Sequence, residues 1–127
     1  EIIKKRPILK IYGGNYDTKD GSCIRDFIHV SDIAEIHYKV LEKINNLNNS
    51  KILNCGYNKG ISVLEVAKVF KKQTSKKVEI LVSKRRKGDL VKIIASNKKL
   101  KKFIKWKPKF NNLNTIVKSC INWEKRQ

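Results

Sequence analysis

Apolar residues recur in this chain at two different periods that alternate along its length, and that alternation restricts the fold more than any other feature. Helical spacing is found at Ile33, Ile36, Val40, Leu41 and Ile44, then at Val63, Val66, Ala67 and Phe70, and last at Leu113, Ile116, Val117, Cys120 and Ile121. Between and before these faces lie short runs with strand character: Ile8 to Tyr12, Phe27 to Val30, Lys51 to Cys55 and Val78 to Val82. Gly13-Gly14 closes the first run and Gly56 the third, while the Asn-rich stretch from Asn45 to Ser50 ends the first helix. Ser31 is placed to cap that helix, with Asp32 in the first turn where a carboxylate suits the positive dipole end. Ser62-Val63-Leu64-Glu65 reads as a capping box, and Asn112 as the cap of the last helix. Lys98 to Ile104 predicts one more short helix before Trp106-Lys107-Pro108. The expected class is α/β, with short strands between helices and no internal repeat.

A chain of 127 residues is one domain or a piece of a larger one. It begins at Glu1, holds no methionine, and has no signal peptide or long apolar run. The expectation is a fragment of a soluble, cytoplasmic protein without a membrane span. The formal net charge of +19 suggests a polyanion partner. Against that, the excess is almost all lysine, spread along the whole chain, and lysine, asparagine and isoleucine are together abundant, as A/T-rich codons favour. Composition drift is the plainer explanation, and a basic nucleic-acid-binding module remains the alternative from another class. Cys23, Cys55 and Cys120 are widely spaced and form no CxxC, so neither a zinc site nor a disulfide framework is expected. His29 and His37 read as packed or surface histidines.

Two segments carry chemistry. In Gly21-Ser22-Cys23-Ile24-Arg25-Asp26-Phe27-Ile28-His29-Val30-Ser31-Asp32, an arginine at a loop-to-strand junction is followed at once by a helix start. A guanidinium held near a helix N-terminus suits an anionic oxygen cluster such as a phosphate; it could equally pair with Asp26. In Lys84-Arg85-Arg86-Lys87-Gly88-Asp89-Leu90, two planar cations and a glycine have the makings of a phosphate clamp, and Asp89 could orient an arginine or accept from ribose hydroxyls. On the local pattern alone a solvated basic turn is the simpler reading.

The longer stretch from Tyr12 to Val30, YGGNYDTKDGSCIRDFIHV, resembles the segment of the UDP-glucose 4-epimerase family that runs from a uridine-binding strand into an RDYIHV motif. Arg85 to Leu90 is similar to that family's RRxGD motif, and Leu53-Asn54-Cys55-Gly56, Gly60 to Val66 and Trp106-Lys107-Pro108 follow in the family's order. RDFIHVSD alone would mark the wider extended short-chain dehydrogenase/reductase superfamily; the GNYDTKDGS lead-in narrows it to the epimerases.

The resemblance implies that residues 1–127 are the carboxyl-terminal, UDP-sugar-binding region of such an enzyme, with the amino-terminal NAD-binding Rossmann domain absent. It places Tyr12 beside the uracil, Arg25 and Arg86 on the diphosphate, and Asp89 near the ribose hydroxyls. Phe27 stands where many members have tyrosine, so a hydroxyl is lost there. Ile93 matches a position whose side-chain size helps set whether N-acetylated sugars fit. The implied reaction interconverts UDP-glucose and UDP-galactose through a 4-keto intermediate, with NAD as hydride carrier and a YxxxK tyrosine as base. Neither YxxxK nor GxGxxG occurs here: the residue four after each tyrosine is Tyr16, Asp20, Glu42 or Ile61. The chain alone is therefore expected to bind but not to epimerise, and the full-length enzyme to be a homodimer. A nucleotide-sugar dehydratase or decarboxylase of the same superfamily is the nearest alternative.

Overall fold

A computed structural model describes residues 8–46 and 49–126; Arg6, and the Leu47-Asn48 part of the Asn-rich stretch, lie outside the described residues. Among the described residues, two small sheets and four helices are arranged in the order β1 (Ile8–Tyr12), β2 (Ile24–Arg25), α1 (Val30–Leu41), a 3-10 turn (Ile44–Asn46), β3 (Ile61–Ser62), α2 (Val63–Gln73), β4 (Glu79–Ser83), β5 (Lys92–Ile93), α3 (Lys98–Ile104) and α4 (Leu113–Glu124). β1 and β4 pair in parallel over five residues, from Ile8 opposite Glu79 to Tyr12 opposite Ser83. The second sheet has the order β3-β2-β5, with β2 antiparallel to β3 and parallel to β5. α2 lies against β1 and α4. Ile36, Tyr57, Leu100, Ile104, Trp106 and Ile116 form the buried core, with Phe103, Leu53, Cys55 and Val40 packed on it.

Where the cue is local, the expected elements form. Ser62 Oγ accepts from Glu65 N at 3.0 Å at the head of α2. Asn112 Oδ1 accepts from Asn114 N at 2.9 Å and Thr115 N at 3.3 Å at the head of α4. Asn112→Ala should accordingly cost about 1 kcal/mol, read as a lower denaturant midpoint with an unchanged slope.

Four expectations are corrected. Phe27 to Val30 is not a strand: β2 ends at Arg25, because the Asp26 carboxylate accepts from Tyr57 N, Asn58 N and Ala95 N and turns the chain away from the ladder. Ser31 is not the cap of α1 either. His29 is, its Nδ1 accepting from Ser31 N at 3.0 Å while its ring stacks on Phe110. Lys51 to Cys55 forms no ladder with any described strand. It keeps the alternation, with Leu53 and Cys55 on the core and Ile52 88% exposed, but not the pairing. On α1 the buried face is narrower than its spacing suggests: Ile36 is inside, whereas Leu41 and the following Ile44 are exposed. No described helix is long and apolar enough to cross a membrane.

Candidate functional site

The 13–22 loop leaves β1 and returns to β2, and one carboxylate anchors its far end. Asp20 Oδ1 accepts from Ser22 N at 3.0 Å and Ser22 Oγ at 2.8 Å, and Oδ2 accepts from the Ser62 hydroxyl. Ser22 Oγ in turn accepts from Leu64 N at 3.0 Å, so the loop doubles as a cap for α2. Burial pushes the Asp20 carboxyl up, but the Ser62 and Ser22 bonds, with Lys68 nearby, outweigh it and hold the pKa below its usual value. At the near end, Gly13 N extends the β1–β4 ladder by donating to Ser83 O at 2.8 Å.

The two arginines singled out for an anion are each bonded to the turn after β4, Arg86 from within it and Arg25 from β2. Arg25 ends β2, opposite Ile93 on β5, and its Nη1 donates to Ile24 O at 2.8 Å and Leu90 O at 2.9 Å. Arg86 pairs with Asp89 through Nε at 3.0 Å and Nη2 at 3.3 Å, and its guanidinium lies 4.8 Å from the centroid of the Tyr12 ring. The hydrogen bond to Asp89 holds the Arg86 pKa above its already high value. Tyr12, Arg86, Asp89, Leu90, Arg25 and Ile93 thus form one contiguous set, linked by contacts from β1 across the turn to β2 and β5.

Phe27 lies elsewhere. It lines an apolar cavity of about 200 Å³ with Val66, Ala67 and Phe70 of α2 and with Leu9 and Ile11, the β1 residues that alternate with Tyr12. Arg85 is also turned away. Its guanidinium sits 4.0 Å over the Tyr16 ring and donates to Asn15 O. Of the adjacent arginine pair, only Arg86 belongs to the set.

The arrangement suits an oxyanion. Arg86 and Asp89 pair at the surface, with the arginine side chain 61% exposed, where solvent screening leaves such a pair little net stabilisation. Its donors can be given to a ligand at small cost. Nη1 of Arg25 is held by two carbonyls, which fixes the guanidinium while its remaining N–H groups stay free of described protein acceptors. Asp89 supplies an acceptor beside these cations, as a hydroxyl-bearing ligand requires.

A dinucleotide does not fit these residues in the same way. The first amides of α1 are taken by His29, and those of α2 by Ser62 and Ser22 with the Asp20 carboxylate beside them. A negative charge at that helix start repels a pyrophosphate rather than cradling it.

Two supporting residues were not legible as such in the sequence. Tyr16 is buried under Arg85; its only signal is an aromatic residue inside a polar loop. Asp26 accepts from amides 31, 32 and 69 residues away, for which no local pattern exists.

The sequence profile of the NAD dependent epimerase/dehydratase family matches residues 3–56. A UDP-glucose 4-epimerase of Azospirillum brasilense is 38% identical over 124 residues, which are 98% of this chain and 36% of that protein. Among solved structures, the UDP-Glc/GlcNAc 4-epimerase of Campylobacter jejuni is 41% identical with a TM-score of 0.85, over 97% of this chain and 37% of that one. The UDP-glucose 4-epimerase of Bifidobacterium longum, solved with NAD+ and UDP, is 33% identical with a TM-score of 0.84, over 93% and 35%. The chain therefore spans little more than a third of the length of the relatives it matches.

Proposed function

The chain belongs to the NAD dependent epimerase/dehydratase family, and from that premise we propose that it is the UDP-binding region of a UDP-glucose 4-epimerase. Arg25 and Arg86 grip the diphosphate, Tyr12 lies beside the uracil, and Asp89 accepts from the ribose. Ile93, across the ladder from Arg25, shapes the sugar side, whereas Phe27 packs between α2 and β1, apart from this set. The whole protein interconverts UDP-glucose and UDP-galactose in the cytoplasm as a homodimer. In this reading NAD and the reacting groups are held outside residues 1–127, and these residues alone do not epimerise.

The observation that carries this reading is the link from Arg86 through Asp89 and Leu90 to Arg25. Two guanidinium groups 61 positions apart in sequence are brought to one turn by the pairing of β2 with β5. Relatives 33–41% identical that are named 4-epimerases favour epimerisation over dehydration or decarboxylation. Exposed lysines occur on α2 (Lys68, Lys71), α3 (Lys98, Lys99) and α4 (Lys118), so they are not confined to one element.

Calorimetric titration of the chain with UDP tests the proposal. Arg25→Ala and Arg86→Ala should each weaken binding about 10- to 100-fold, the worth of a charge-assisted hydrogen bond or two. Uridine, which lacks the diphosphate, should bind the Arg25→Ala variant and the unaltered chain alike. Absence of UDP binding, or equal UDP affinity in all three proteins, removes these residues from the site.

A further inference from the structure

We propose that Arg85 is a positioning residue, a latch that locks the 13–22 loop onto the turn after β4 and thereby sets the spacing between Tyr12 and Arg86. The functional half of this inference rests on the UDP-site reading above.

The latch is a three-part interlock. Tyr16 is only 5% exposed although it stands in a polar loop. The Arg85 guanidinium covers its ring at 4.0 Å and donates to the neighbouring Asn15 carbonyl, so one planar cation holds both a side chain and the backbone of the loop. Gly13 lies against the pair. Its φ is +88°, and a Cβ there would stand 2.2 Å from Tyr16 Cε2 and 2.9 Å from Arg85 Cγ. The interlock therefore needs a residue with no side chain at that point.

Its place in the chain gives it consequence. Gly13 directly follows Tyr12, and Arg85 directly precedes Arg86. The two arginines each lie over one tyrosine of the same stretch: Arg86 over Tyr12, Arg85 over Tyr16. Releasing Arg85 frees the loop that directly follows one site residue from the turn that carries the other, and the Arg86 guanidinium loses its fixed distance from the aromatic ring. A ligand must then restore that order on binding, which weakens its affinity.

The test has two arms on the 127-residue chain. Without ligand, amide hydrogen exchange is followed at Gly13, bonded to Ser83 O, and at Tyr16, bonded to Gly21 O. Arg85→Ala should speed exchange at both about tenfold or more, while Ile116 in α4 stays protected as before. With UDP, Arg85→Ala and Tyr16→Leu should each raise the dissociation constant about tenfold, and the double variant should bind no worse than either single one. Arg85→Lys, which keeps the cation but not the planar donor, should fall between. Lys87→Ala, which removes an adjacent charge, should leave affinity within about twofold. Unchanged exchange in Arg85→Ala overturns the latch. Losses that multiply in the double variant, or a Tyr16→Leu chain that binds UDP as tightly as the unaltered one, overturn it in favour of Arg85 touching the phosphate itself. If the unaltered chain takes up no UDP, the binding-site reading fails, and the exchange result alone decides the latch.

Discussion

Asp32→Ala is expected to destabilise the chain by about 3–5 kcal/mol, a large part of the whole stability of a domain this size. Asp32 is fully buried. Its carboxylate accepts from the Tyr57 hydroxyl at 2.5 Å, Lys109 N at 3.0 Å and Phe110 N at 3.0 Å. Truncation leaves all three donors without their acceptor in a buried site, and each unsatisfied donor costs about 1–3 kcal/mol. The damage also spreads. Tyr57 stacks nearly parallel on Trp106, 2% exposed, and its hydroxyl accepts from His29 N at the start of α1. Asp32 thus fastens the first turn of α1 to the segment leading into α4. Asp32→Asn should fall between, because its amide oxygen still accepts while its NH2 group faces another donor. Urea unfolding followed by circular dichroism measures both, and a loss below about 1 kcal/mol for the alanine variant would refute the account.

The same network fixes the pH response. Burial pushes the Asp32 carboxyl up, but the bonds from Tyr57, Lys109 and Phe110, with His29 nearby, outweigh it, so its folded pKa lies below the usual value of 3.8. A depressed folded pKa contributes stability that is present above the unfolded value and is lost as pH falls through the folded one. Asp20 has the same sign. Stability should therefore hold from neutrality down to about pH 5 and decline below about pH 4. At the other end, burial first and then the bond to Asp32 raise the Tyr57 phenol above its ordinary value. That contribution is intact below about pH 10 and is lost as pH rises through the folded pKa. Asp32→Asn should flatten the acid decline, leaving the part due to Asp20.

Local elements were legible because their causes are local. α3 and the caps of α2 and α4 depend on residues within four positions of each other, and they form, although of the Ser62–Glu65 capping box only the hydroxyl half is made. The helix after β2 was expected to be capped by Ser31, a good cap by type. The helix instead starts two residues earlier, with His29 as its cap and Nδ1 accepting from Ser31 N. β3 and β5 have two residues each, too few to show any period, and β5 exists only because β2 lies beside it. The site divides in the same way. Arg25 and Arg86 could be proposed from their motifs, but two adjacent arginines look alike in a sequence. What separates Arg85 from Arg86 is which tyrosine lies beneath each, and that follows from the long-range β1–β4 register.

The second large effect is expected at Gly21, and a comparison with Gly88 isolates its cause. Both have φ in the left-handed region, +76° and +88°. An alanine at either pays the backbone cost of roughly 1–2 kcal/mol. At Gly88 nothing lies within 4 Å of the added methyl, so Gly88→Ala should cost about that and no more. At Gly21 the methyl would stand 2.2 Å from the Gly14 carbonyl oxygen and 2.8 Å from its carbon. These are backbone atoms, so the loop itself must shift, and Gly21→Ala should lose about 3 kcal/mol or more. The shift strikes the anchor described above: Gly21 O accepts from Tyr16 N, and the flanking Asp20 and Ser22 hold Ser62 and Leu64 at the head of α2. Gly21→Ala should therefore also speed amide exchange at Leu64, which Gly88→Ala should leave alone. Equal losses in the two variants, or a protected Leu64 in both, would mean that the loop accommodates the methyl and that the crowding at Gly14 is not what reserves position 21 for glycine.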